Sequence, residues 1–158
     1  GVIFFNNNLD KFDDFFFIIK PFVIWCQKRR IKFFLPHSFF WANKYKAFGV
    51  LIDNKNPQKK SLLSINIFKK KFVLATKVHN YIEAKKASEA FRMIFISPVF
   101  KTESHPEQKP LKICIFISIC FLLKEKITFA LGGVKKSNYS RLKNKNLYGF
   151  AGIGNFVK

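Results

Sequence analysis

Short runs that are apolar at nearly every position recur along this chain, and longer stretches with helical spacing lie between them. The runs are Val2 to Phe5, Ile31 to Leu35, Gly49 to Ile52, Phe72 to Thr76, Met93 to Ile96, Ile127 to Leu131 and Tyr148 to Ile153. A strand covered on one face alternates apolar and polar residues, whereas one covered on both faces need not. Apolar runs alternating with helical stretches therefore predict a parallel sheet with helical crossovers. Seven such units fall one short of a (β/α)8 barrel, and the first residue is Gly rather than Met. The expectation is a TIM barrel whose first βα unit precedes Gly1, forming a single domain over residues 1–158.

Local signals place the crossovers. Leu9 to Arg30 has a helical pattern that Pro21 is expected to break. Pro36 is expected to stop the second strand, and Phe39 to Lys46 fits a short helix. Asn80 is an N-cap candidate for a helix over Tyr81 to Ala90, with Glu83 in its first turn and Ala84, Ala87 and Ala90 at close-packing spacing. Further helices are expected within 112–124 and near 138–144.

Hydrophobic residues make up 49% of the 158, enough for a real core. The formal charge of +20 raises the question of nucleic acid or an anionic membrane as partner. The lysines are spread along the whole chain, however, and Phe, Ile, Lys and Asn share AT-rich codons. Codon bias thus accounts for much of the excess, and neither nucleic acid nor membrane is expected as partner; a basic nucleic-acid or membrane-surface protein is supported by charge alone. Cys26, Cys114 and Cys120 have no metal-ligand spacing, and their odd number fits buried thiols in a reducing cytosol. No signal peptide is visible. The longest uncharged apolar run, Ile113 to Leu123, is too short to span a bilayer and reads as a buried helix.

The chemistry-bearing residues follow the late runs. Met93 to Ile96 leads into Ser97-Pro98 and a polar loop carrying Thr102, Ser104 and His105. The next run ends in Gly132-Gly133, and the last carries Ile153-Gly154. Glycine turns let backbone N–H groups approach a phosphate closely, and hydroxyls add donors. Val78-His79-Asn80 follows the fourth run, and an imidazole there can move a proton near neutral pH.

Ser97 to Leu111, with its Ser-Pro-Val-Phe-x-Thr-x-Ser-His-Pro order, together with Ala130 to Gly133 and Gly149 to Ile153, resembles the thiamine phosphate synthase / TenI family. The resemblance implies a (β/α)8 barrel that binds a thiazole phosphate. Synthase members couple it to a pyrimidine diphosphate and release pyrophosphate; TenI-type members tautomerise the thiazole. It implies Thr102, Ser104, His105, Gly132, Gly133, Ile153 and Gly154 as phosphate contacts, Lys77 as a pyrophosphate contact and His79 as the proton carrier. The family's magnesium carboxylates have no counterpart at the matching places: Pro36-His37 stands for an Asn-Asp pair, and Asn56, with Asp53 nearby, stands for the second acid. No metal ligand is assigned, and synthase chemistry is set against two alternatives, a TenI-type tautomerase and a non-catalytic thiamine-phosphate-binding protein. The oligomeric state is left open.

Overall fold

A computed structural model of the chain describes residues 1–4, 12–36, 38–52, 67–102, 106–142 and 145–152. It divides into two compact units, Gly1–Leu74 and Ala75–Lys158. The described residues hold seven strands in the order expected.

In the first unit, β1 (Val2–Ile3), β2 (Phe33–Pro36) and β3 (Gly49–Ile52) are parallel neighbours, with Val2 opposite Phe33 and Leu35 opposite Val50. Every residue of β2 is buried, so its unbroken apolarity does mark a strand covered on both faces. The crossover helix α1 (Phe12–Lys28) buries Ile19, Val23 and Cys26, an i, i+4, i+7 stripe. Removing the Ile19 and Val23 side chains from water is worth about 1.5–3 kcal/mol each. Phe22, on the flank of this stripe, meets Phe4 at 5.1 Å and Phe33 at 6.0 Å between ring centroids.

Two expectations are corrected here. α1 runs through Pro21 without a break. Pro21 lies on the exposed face, where water can serve the carbonyl left without a helical donor, while the buried stripe continues past it on the other side. Pro36 lies inside β2, opposite Leu51, rather than just beyond it.

Helix α2 (Phe39–Lys44) starts at Ser38, whose Oγ accepts from the Trp41 N–H at 3.3 Å. Both α1 and α2 end in the double-bonded Schellman turn. Arg30 N donates to Gln27 O and Ile31 N to Cys26 O; Lys46 N donates to Asn43 O and Ala47 N to Ala42 O. The left-handed residue of each turn is a cation rather than glycine: Arg30 at φ 55° and Lys46 at φ 52°.

β4 (Val73–Val78) carries the chain across the boundary into the second unit. There β4, β5 (Met93–Ile96), β6 (Ile127–Ala130) and β7 (Gly149–Phe150) pair in parallel in chain order. Between them run α3 (Tyr81–Ala90), α4 (Ile113–Leu122) and α5 (Lys136–Tyr139), the last followed by a 3-10 turn over Ser140–Leu142. The helix expected near 138–144 thus starts earlier and tightens into 3-10. Buried Ala84 and Ala87 sit on the inner side of α3, which packs against α4.

The buried helix expected over Ile113 to Leu123 is buried on one side only. Phe116, Ile119, Cys120 and Leu123 face the core, while Ile113, Ile117 and Phe121 are about half or more exposed. Cys114 shares that outer face, so only Cys26 and Cys120 are the packed thiols expected. Among the described residues, no helix is long and apolar enough to cross a membrane.

Candidate functional site

The parallel pairing of the second unit lines up the segments that leave its strands. Val78 is opposite Ile96, and Ile96 is opposite Ala130, so the residues that follow each strand emerge side by side. Catalytic groups of parallel α/β folds gather at such carboxyl ends.

His79 is the first residue beyond β4 and is half-buried. Its Nδ1 lies 2.7 Å from the main-chain oxygen of Ser97, the first residue beyond β5. A carbonyl only accepts, so Nδ1 carries the hydrogen in this bond. In the neutral ring Nε2 then holds the lone pair, and no described residue engages it. The His79 main-chain N–H donates to Glu83 Oε2 at 2.7 Å, and Asn80 Nδ2 donates to Glu83 Oε1 at 2.8 Å. The Glu83 N–H donates back to Asn80 Oδ1, also at 2.8 Å. The first turn of α3 is thereby a reciprocal cap that also grips the histidine's backbone. Asn80 is the N-cap expected.

The segment after β5 is in turn bound to the segment after β6. Ser97 N donates to Val78 O, Leu131 N to Ile96 O, Val99 N to Leu131 O and Phe100 N to Gly132 O. Gly132 and Gly133 both have left-handed backbones, φ 87° and 66°. A side chain on Gly133 would run into the carbonyl oxygen of Lys101, and one on Gly132 would come within 2.9 Å of Pro98 Cα. Asn138 closes the turn from outside by donating from Nδ2 to Gly133 O at 2.9 Å. Among the described residues, neither glycine N–H has an acceptor.

The structure therefore links three of the residues singled out in the sequence, His79, Gly132 and Gly133, through the segment 97–101. His79 adjoins Ser97, Gly133 packs against Phe100 and Lys101, and Thr102 follows directly, half-buried. The final strand joins through Ala151 N, which donates to Ala130 O at 2.8 Å. Lys77 is half-buried on β4, opposite Phe95. Ser104, His105, Ile153, Gly154, His37, Asp53 and Asn56 lie outside the described residues. A groove of about 360 Å³ flanks the same loop, with Val99, Phe100, Leu111 and Ile113 as walls and Lys101 and Arg141 as cations. Arg141 sits 5.7 Å above the Phe100 ring.

Three residues in this arrangement were given no role of their own from the sequence, Ser97 among them although it opens the Ser-Pro-Val-Phe motif. Ser97 is 18 positions from His79 and contributes only its main-chain oxygen, so residue type says nothing of it. Arg141 was one basic residue among many. Thr128 is fully buried and donates from Oγ1 to Asn146 O at 2.5 Å, fixing the approach to β7. Among the described residues no three His, Cys, Asp or Glu side chains gather as a metal would require.

Comparison with known proteins bears on the fold and the family. The chain is similar to "Putative thiamine-phosphate synthase 2" of Aquifex aeolicus, 32% identical over 91 residues, and spans about half of it: 55% of this chain and 47% of that protein. In structure it resembles a thiamine phosphate pyrophosphorylase from Pyrococcus furiosus, with a TM-score of 0.70 at 17% identity, over 96% of this chain and 69% of the other. It also resembles one from Bacteroides thetaiotaomicron, with a TM-score of 0.52 at 14% identity, over 96% and 80% of the two chains. At these identities the structural likeness speaks for a shared fold alone. The thiamine monophosphate synthase family model, TMP-TENI, matches residues 11–156, and the chain belongs to that family.

Proposed function

We propose that this chain acts on a thiazole phosphate, with His79 carrying a proton between two carbon positions of the ring in a TenI-type tautomerisation. The phosphoryl group is held by the turns after β5, β6 and β7: Thr102, Ser104 and His105 from the first, Gly132 and Gly133 from the second, Ile153 and Gly154 from the third. The observation that carries the reading is the 2.7 Å bond from His79 Nδ1 to the Ser97 carbonyl, which leaves Nε2 as the base.

In the forward step Nε2 takes a proton from one carbon, and the electron pair left behind shifts through the ring. A proton returns from Nε2 to the second carbon. His79 ends as it began, and no oxidant, reductant or metal enters the balance. The glycine N–H groups, without an acceptor among the described residues, suit an anion that must be gripped by backbone, since backbone donors stay in place when charge moves in the ring.

The test is incubation of the protein with the non-aromatic thiazole phosphate in D2O, with deuterium uptake read by mass spectrometry. His79→Gln is expected to lose about 10²-fold or more in rate while still binding the phosphate. Full exchange in that variant sinks the proposal. Binding without exchange in the unaltered protein points instead to a thiamine-phosphate-binding protein.

A second reading, coupling to a pyrimidine diphosphate, draws on family membership and on Lys77, a half-buried cation two positions ahead of His79. Release of pyrophosphate from the two substrates together, lost in Lys77→Met, would establish it.

A further inference from the structure

We infer that Gly132 is a positioning residue for His79, acting through Pro98 and Ser97. The inference rests on the reading of His79 as the proton carrier and extends it to what fixes that ring. His79 keeps Nε2 available only while Nδ1 donates to Ser97 O. Ser97 is nine-tenths buried, and its oxygen can reach the ring only if the main chain at 97–98 stays where it is. Two things hold that segment. One is the ladder on either side, Ser97 N to Val78 O and Val99 N to Leu131 O. The other is the close pass of Gly132, whose missing Cβ would stand 2.9 Å from Pro98 Cα, 3.0 Å from Pro98 Cβ and 3.3 Å from Ser97 Oγ.

The 2.9 Å approach to Pro98 Cα is too short for a real methyl group against a backbone carbon, and Pro98 Cβ at 3.0 Å is tight as well, so a side chain at 132 must displace Pro98 or open the turn. Phe100 N is bonded to Gly132 O, so the turn and the 97–100 segment move together. Any such shift carries the Ser97 carbonyl away from Nδ1. Once that bond is gone, nothing described prevents the hydrogen from residing on Nε2, and the lone pair then lies on Nδ1 instead of at Nε2. The glycine turn and the histidine are thus parts of one assembly, and the turn's geometry sets the imidazole's tautomer.

The tautomer can be read directly from two-bond ¹H–¹⁵N spectra of the uniformly ¹⁵N-labelled protein at a pH where the ring is neutral. Three histidines give signals, and His79→Gln assigns the one of interest. The unaltered protein is expected to show the Nδ1–H pattern at His79. Gly132→Ala is expected to bring up the Nε2–H pattern and to lower turnover roughly fivefold to tenfold, in the range of one lost hydrogen bond. A folded Gly132→Ala protein with an unchanged His79 pattern overturns the inference, as does an Nε2–H pattern in the unaltered protein.

If Gly132→Ala does not fold, Asn138→Ala decides. It removes the 2.9 Å bond that braces Gly133 O and touches neither His79 nor Pro98. A shift toward Nε2–H supports the inference, and a pattern identical to the unaltered protein refutes it. Should the tautomer respond while His79→Gln leaves proton exchange intact, the coupling stands and the functional reading falls.

Discussion

Replacing Glu83 by Ala should cost about 2 kcal/mol and loosen the backbone of His79. The carboxylate accepts two hydrogen bonds, from His79 N at 2.7 Å and Asn80 Nδ2 at 2.8 Å. Bonds to a charged acceptor are worth about 1.5–3 kcal/mol each when sheltered. Glu83 is half-buried and Asn80 exposed, so each is reduced to roughly 1 kcal/mol by solvent. The Glu83 N–H bond to Asn80 survives, since it uses main chain on one side. For a protein of this size 1 kcal/mol corresponds to about 2–4 °C, so the melting temperature should fall by about 4–8 °C. Glu83→Gln keeps an acceptor for the His79 N–H and should lose about half as much. Circular-dichroism melts give the stability, and hydrogen exchange gives the local effect. The His79 amide should exchange faster in Glu83→Ala, while amides in the middle of β5 change only as far as global stability does. A Glu83→Ala protein within about 0.5 kcal/mol of the parent, with the His79 amide still protected, refutes the argument that this carboxylate holds the histidine.

Further outcomes follow from other parts of the chain. Lys46→Gly should stabilise by about 1 kcal/mol, because Lys46 is exposed at φ 52° where a side chain is strained, and a denaturant midpoint will show it. Of the three thiols only exposed Cys114 should react promptly with a disulfide reagent at neutral pH; buried Cys26 and Cys120 should react only as fast as the fold opens. Burial pushes the Cys120 thiol from its ordinary 9.0 up to about 12, so the stability gained by keeping it neutral is complete below about pH 9 and drains away as pH climbs toward 12. Urea titrations at pH 8 and pH 10.5 should therefore differ by more in the parent than in Cys120→Ala. Phe121→Ser, on the exposed face of α4, should leave the melting temperature within about 0.5 kcal/mol equivalent and reduce aggregation seen by light scattering.

The chain writes its strands and its best helix plainly, and the reason is burial. Met93–Ile96 was readable to the residue, because unbroken apolarity between Arg92 and Ser97 leaves little room for another assignment, and Gly49–Ile52 because a glycine opens it and Asp53 closes it. Tyr81–Ala90 was readable because Asn80 and Glu83 form its start and the alanines its packed side. Helix ends without a matching residue were not readable. Both Schellman turns of the first unit place a cation where glycine is usual, and nothing in Arg30 or Lys46 announces a left-handed backbone. Pro21 misled in the opposite direction. Proline breaks a helix through a lost donor and a clash, and how much that matters depends on which face it occupies, which only tertiary packing decides.

α4 shows the limit of composition more sharply. Ten residues with almost no polar group predict burial all round, and the structure buries one side. With no polar stripe to orient it, the sequence cannot say which side. The same ambiguity governs the site. Where strands are apolar on both faces, a slip of one residue exchanges one buried set for another at small cost, so register is weakly written in the residues. Yet register decides everything at His79. Val78 opposite Ile96 is what sets the next residue of each strand, His79 and Ser97, within bonding reach. The residues proposed to carry the chemistry were visible as a histidine after one strand and a glycine pair after another. What joins them is a main-chain oxygen, and it becomes visible only when pairing, turn conformation and the tight pass at Gly132 are fixed together.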